Sequence, residues 1–587
     1  MSRLSNTRKL TILAQDPAVR FGGADGPLAF ARVDVPAEVL GAGPSGYRVK
    51  VVDYDASSQV LYKDLIYASD GPRPTDDPFD LDKAGGAADR RAIEETLLGN
   101  PNFHAQNVYA IVMRTLARFE YALGRRVAWS FGGHQLYVIP HAFGQANAFY
   151  SEEDRALFFG YFPGRAGNMV FTCLSHDVVA HETTHALLDG LRTRFTEAST
   201  PDQAAFHEAF ADIVALLSIF SLPEIVAAAL GDSPVAPGKS KVIPLIDANH
   251  VTMEALQHSI LSGVAKQVGQ ELKPPGNEVD EVRGAALRQS VLLEPRTDLL
   301  SEANYQEAHH RGEILVAAFM RSFLRLWRDR IEGLGTFGGD RYNRDMVVEE
   351  GAKVADHLLT MAIRALDYCP PTDMDFGAYL ASLLTADAEL IPDDRHGYRS
   401  AIRETFASYG ILLPAADCLA EEGTWCPFAE TQPITYARTN FESMLRDRDE
   451  VFRFVWENRD ALGISERVPI EVDSVRPSIR QGPDGFFVKE TVVTYVQTLD
   501  MFASECQSLL GFERPAGMST RLRLQVFGGG TIIFDQYGRI KYHIAHRLRD
   551  QDRQKRRLEY LAAIGETAPR RGTRDRFAAL HRARAGA

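Results

Sequence analysis

The stretch DVVAHETTHALLDG, residues 177–190, sets two histidines four positions apart around a glutamate, inside a run otherwise apolar enough for a core helix. On a helix, residues i and i+4 share a face, so His181 and His185 present two imidazole nitrogens to one point, with Glu182 beside them. That geometry suits Zn2+, which takes nitrogen and oxygen ligands at about 2.0–2.2 Å in a tetrahedral shell. A catalytic zinc site uses three protein ligands and keeps one position for water. A third ligand is therefore required. STPDQAAFHEAFADIVALL, which begins at residue 199, supplies Glu208 and, one turn on, Asp212. Its start reads as a helix, with Thr200 as N-cap, Pro201 in the first turn and Gln203 completing a capping box. Glu208 would ligate, and Asp212 would accept the outer N–H of a liganding histidine and fix its tautomer. The plainer alternative is a pair of histidines at the rim of a core. Two histidines and two acids buried on facing helices without an ion would cost about 1–3 kcal/mol for each group left unsatisfied.

The chain has 587 residues, enough for at least two cores, and its 45% apolar and 24% charged residues exclude disordered and fibrous classes. MSRLSNTRKLTILAQDPAVRF at the start has no apolar run of signal-peptide length, and no run is read as long enough to span a membrane. A cytoplasmic protein with no membrane partner is expected. The five cysteines, Cys173, Cys369, Cys418, Cys426 and Cys506, are odd in number, scattered and without CxxC spacing, which argues against a disulfide framework or a thiolate zinc site. Net charge is −13, but residues 546–587 hold 12 Lys/Arg against 5 Asp/Glu, a balance of +7 that leaves −20 on the rest. This basic tail reads as a solvated helix. Only Tyr560 and Phe577 interleave its charges, so nucleic acid is not an expected partner.

Along the chain, residues 1–100 read as a β-rich region containing YRVKVVDYD (47–55) and QVLYKDLIY (59–67). Gly41, Gly43 and Gly46 spell GxGxxG, but a strand-like segment follows them where a dinucleotide site needs a helix. Helical spacing runs from Phe103 to Leu123, and strand-like VAWSF, LYVIP, NAFY and ALFFGYF follow. Helical patterns then dominate to about Ile411. Beyond it, TNFESMLRDRDEVFRFVWENRDAL reads as a helix and VPIEV, FFVKETVVTYV, RLRLQVF and TIIFDQYGRIKYHI as strands, giving an accessory α+β domain over 412–545 and a helical or flexible tail over 546–587. Gly528, Gly529 and Gly530 lack the GK[ST] of a phosphate loop and read as a hairpin or bulge.

DVVAHETTHALLDG followed by HEAFADI resembles the thermolysin-like zinc metallopeptidases, gluzincins of the HExxH…ExxxD type. The resemblance spans roughly 100–411 and is strongest over 175–215. It implies an α+β fold with a β-rich N-terminal lobe, a helical lobe and zinc between them on His181, His185 and Glu208. It further implies that Asn147 and Ala148 belong to a strand binding substrate backbone, that Arg288 in LRQS contacts the substrate carbonyl, and that His309 or His310 in HHRGEIL stabilises the tetrahedral intermediate. Phe195 stands in the loop where the family usually has an assisting tyrosine. Asp177 matches a calcium-binding acid, but its expected partner falls at Ile219, so a calcium site is incomplete. The expected activity is zinc-dependent endopeptidase action on peptide or protein substrates, Glu182 serving as general base, with a regulatory partner at the C-terminal domain or tail. The alternative is a catalytically weak zinc scaffold that works by binding through its C-terminal domain.

Overall fold

A computed structural model of the chain describes residues 7–563 apart from 18–27, 68–76, 82–89, 165–167, 198, 232–242, 264–289, 416–417, 430–432 and 482–486. Arg288 and the second half of the basic tail thus lie outside the described residues. The architecture is mixed α+β with several separate sheets.

Strands β1 (Thr7–Leu13) and β2 (Phe30–Pro36) pair antiparallel and turn Leu10, Ile12, Val33 and Val35 inward. β3 (Val49–Val51) is all that regular pairing keeps of its segment apart from Tyr54–Asp55. The Asp55 carboxylate accepts the backbone N–H groups of Ser57 and Ser58 at 2.8 and 3.1 Å, folding the chain into a turn where alternation predicts a longer strand. Helix α1 (Pro101–Leu123) packs on the β1–β2 pair. Asn100 caps it and Pro101 sits where no N–H is needed. It stops at Gly124, whose φ of 65° is left-handed and whose missing Cβ makes room for the Ile479 carbonyl.

Strands β4 (Leu136–Phe143), β5 (Ala148–Ser151), β6 (Ala156–Pro163) and β7 (Met169–Phe171) join β3 in a five-stranded sheet ordered β3-β4-β6-β5, with β7 also on β6. β3, β4 and β6 run parallel, while β5 and β7 oppose β6. VAWSF forms no strand. Trp129 there donates to the His134 carbonyl at 3.2 Å and stacks with Phe131.

Next come α2 (His176–Leu191) and α3 (Pro201–Phe220), packed against each other, with α1 and β5 on the other sides of α2. Both are almost wholly buried, so their apolar residues form no single stripe. By length and hydropathy α3 does reach the class of membrane-spanning helices, contrary to the sequence reading, but 89% of its apolar window is covered by the protein itself. Half of the expected capping box forms: Thr200 accepts from the Gln203 N–H at 3.1 Å. The Gln203 side chain turns elsewhere, donating to the Arg194 and Glu197 carbonyls and accepting from the Met374 N–H. Helices α4 (Ala308–Glu332) and α5 (Arg344–Ala365) pack on α3, with α6 (Phe376–Ala388) on α5 and α7 (Tyr398–Ser408) on α4.

The helix predicted over 439–462 is two, Phe441–Met444 and Arg448–Glu457, because the side chains of Asn440 and Asp447 each cap a new start. Strands β8 (Ile470–Gln481), β9 (Phe487–Phe502), β10 (Arg523–Phe534) and β11 (Ile540–His546) then make an antiparallel four-stranded meander, followed by α8 (Gln551–Ala563). Gly528, Gly529 and Gly530 are neither hairpin nor isolated bulge but the middle of β10. A Cβ on Gly529 would meet the Tyr495 carbonyl, and one on Gly528 the Leu548 backbone.

One core runs from Leu10 to Ile411, a second surrounds Phe454, Val493 and Phe534, and a shared cluster joins Tyr368 and Ala378 to Val492, Ile533 and Tyr542. The seam between them is polar as well. Asp367 takes two hydrogen bonds from Arg125, each 2.6 Å, and one from Arg480 at 2.9 Å, while Ser478 donates to the Leu123 carbonyl at 2.7 Å. Arg476 on β8 reaches the Leu191 carbonyl at 2.5 Å, so the meander caps the C-terminus of α2.

Candidate metal centre

α2 is buried over nearly its whole length, and its polar residues must be satisfied from within. Thr183 and Thr184 do this locally, donating to the Val179 and Ala180 carbonyls one turn back at 2.7 Å each. His181 and His185 point from one face with ring centroids 4.5 Å apart. Glu208, on α3, faces both: its Oε2 is 3.6 Å from His181 Nε2 and its Oε1 3.5 Å from His185 Nε2. Ligands held at about 2.0–2.2 Å by a tetrahedral ion stand about 3.3–3.6 Å from one another. Glu208 stands at that spacing from each histidine, and the donor atoms of the three buried residues lie within 4.8 Å of one another, so the set could hold one ion.

The outer nitrogens decide which way the protons point. His181 Nδ1 lies 2.6 Å from Asp212 Oδ1, and an ionised carboxylate only accepts, so Nδ1 carries the hydrogen and Nε2 the lone pair. For His185 the same result arrives through two residues. His207 Nε2 donates to Asp189 at 2.9 Å, which leaves His207 Nδ1 as an acceptor 2.8 Å from His185 Nδ1. His185 Nδ1 therefore donates, and its Nε2 lone pair also faces Glu208. His207 and Asp189 did not enter the sequence reading. Their signals were local: Asp189 is one turn beyond His185, and His207 precedes Glu208.

Glu182 is fully buried and its Oε2 accepts the Tyr150 backbone N–H at 3.2 Å, which fastens β5 to the helix of the histidines. Ala148 opens that strand and Asn147 immediately precedes it, at the sheet's edge. Asn147 Oδ1 accepts the Ala148 N–H at 3.0 Å, and its carbonyl accepts from Gly160 at 2.8 Å. The structure thus brings His181, Glu182, His185, Glu208 and Asp212 together, with β5 beside them.

His309 and His310 occupy the first turn of α4, where Glu307 is the N-cap. Burial disfavours charge on Glu307, but hydrogen bonds from the His309 ring and from both backbone N–H groups hold its carboxyl down at about 2. His309 Nδ1 is 2.8 Å from Glu307, and His310 Nδ1 3.3 Å from Glu313. This turn crosses the start of α3: Arg311 pairs with Asp202, and Gly312 lies against Ala205 and Ala209. Phe195 is a core residue set edge-on to Phe206. Asp177 accepts from the Ser175 hydroxyl at 2.6 Å, and Ile219, where a second acid would be needed for calcium, is buried and apolar. No protein-family model matches the sequence, and no curated protein matches it.

Proposed function

We propose that the chain is a zinc-dependent endopeptidase of the thermolysin-like, two-lobed kind, acting on peptides or proteins in the cytoplasm. The observation that carries the reading is the triangle of two imidazoles and one carboxylate, in which Glu208 stands 3.5–3.6 Å from each ring nitrogen and each imidazole is oriented by a partner behind it. His181, His185 and Glu208 would hold the zinc ion, which when bound supplies a Lewis acid able to polarise a carbonyl and make water acidic. Glu182, beside the triangle, takes the proton from the attacking water and later gives it to the leaving amine. The edge of β5 at Asn147 and Ala148 receives the substrate backbone as an added strand. Arg288 and one of His309 and His310 stabilise negative charge on the carbonyl oxygen, in place of the missing tyrosine.

The test pairs metal content with digestion of a peptide library. Glu182→Gln should keep the wild-type zinc content and lose turnover by several orders of magnitude, because only the proton carrier changes. Undiminished cleavage by Glu182→Gln would remove the mechanism, and wild-type zinc content in Glu208→Ala would remove the site.

A further inference from the structure

A second set of soft and nitrogen donors converges elsewhere. His104 on α1, His141 on β4 and Cys173, in the turn Thr172–Leu174 that leads into α2, bring donor atoms within 4.8 Å of one another, and none is more than 1% exposed. The outer side of each ring is committed. His104 Nε2 is 2.8 Å from the Leu98 carbonyl, and His141 Nδ1 is 2.9 Å from both oxygens of Asp53. Carbonyl and carboxylate oxygens accept, so both outer nitrogens carry hydrogen. That leaves His104 Nδ1 and His141 Nε2 as two lone pairs facing each other 2.8 Å apart. Two lone pairs at that distance need something positive between them, a proton or a metal ion.

The donor set distinguishes which ions fit. Two imidazole nitrogens and a sulfur suit a thiophilic ion of the zinc class, and a divalent charge would be matched by the Cys173 thiolate and by the Asp53 carboxylate behind His141. With all three ligands this deeply buried, an ion left without matching charge would be costly. The carbonyl and carboxylate behind the two rings are the outer partners that liganding histidines keep. We propose that His104, His141 and Cys173 form a buried site for a divalent, thiophilic ion of the zinc class, which ties α1, β4 and the lead-in to α2 together. This site is independent of the His181 centre. Its ligands come from three separate elements, so no CxxC-type spacing could announce it.

The experiment titrates metal-free, full-length protein with Co2+. A near-ultraviolet thiolate-to-cobalt absorption should develop and saturate, with protons released as the thiolate forms. His181→Ala should keep that band and Cys173→Ser should lose it, while Asp53→Asn should weaken the affinity that the band reports by about 10–100-fold. If Cys173→Ser does not fold, the wild-type band and the Asp53→Asn shift decide. Absence of the band in wild-type protein at saturating cobalt, or its survival in folded Cys173→Ser, overturns the proposal.

Discussion

His207 shows how much a single side chain can set without touching the central position. It stands between Asp189 and His185, and the direction of its two hydrogen bonds is what leaves the His185 Nε2 lone pair aimed at Glu208. Asp212 does the same for His181 in one step. Removing either partner leaves the three donor atoms in place but loosens one ring and its tautomer. Asp212→Ala and His207→Ala should therefore each lower zinc affinity by about 10–100-fold, read by competition with a chromogenic chelator. Affinities equal to wild type in both would show that the outer partners do not orient the rings. A second prediction at this scale concerns His176, at the start of α2. Burial, and then the Arg114 charge, hold its imidazole down at about 3, against 6.5 for an exposed ring. The unfolded chain takes up this proton near pH 6.5 and the folded chain only near pH 3. Stability from this group is therefore complete above pH 6.5 and is lost as pH falls toward 3. The drop in urea midpoint between pH 7 and pH 5 should be smaller in His176→Gln than in wild type.

Elements were legible in the sequence where their instructions are local. α1 announces itself through its helical spacing from Phe103 to Leu123 and α3 through Thr200 and Pro201, and the HExxH spacing alone puts two histidines on one face of α2. What periodicity missed is partly local, set by short-range side-chain caps, and partly dependent on partners distant in the chain. The Asp55 turn and the caps by Asn440 and Asp447 override periodicity that by itself favours longer elements. The three glycines of β10 look like a hairpin or bulge until the cross-strand Tyr495 carbonyl and the Leu548 backbone are seen to need their space. The candidate site divides the same way. The triangle follows from two motif spacings, whereas the relay through His207 depends on how two helices face each other.

For the whole molecule, the seam around Asp367 joins the body to the C-terminal meander. Burial opposes charge there, yet Arg125, with its hydrogen bonds, and Arg480 hold the Asp367 carboxyl down at about 2. Asp367→Ala would leave the buried Arg125 guanidinium without its carboxylate and Arg480 with Glu490 alone. It should destabilise the protein by about 3–5 kcal/mol in urea unfolding, since breaking a buried ion pair costs more than forming it gains. A loss below about 1 kcal/mol would mean that the seam is hydrated and weak. Arg476 gives the same join a bearing on the candidate centre, because its guanidinium sits on the last carbonyl of the helix that carries His181 and His185.

That join also has a consequence in time. Asp367 and Leu123 emerge from the ribosome well before their partners Arg480 and Ser478, the latter pair being 355 residues apart in the chain. At roughly 5–20 residues per second, synthesis from 411 to 480 takes about 3–14 s, during which the body is complete in sequence but open along one side. A nascent chain at that stage displays Asp367, Tyr368 and the end of α1 to whatever else is in the cell, and is the form most in need of a chaperone.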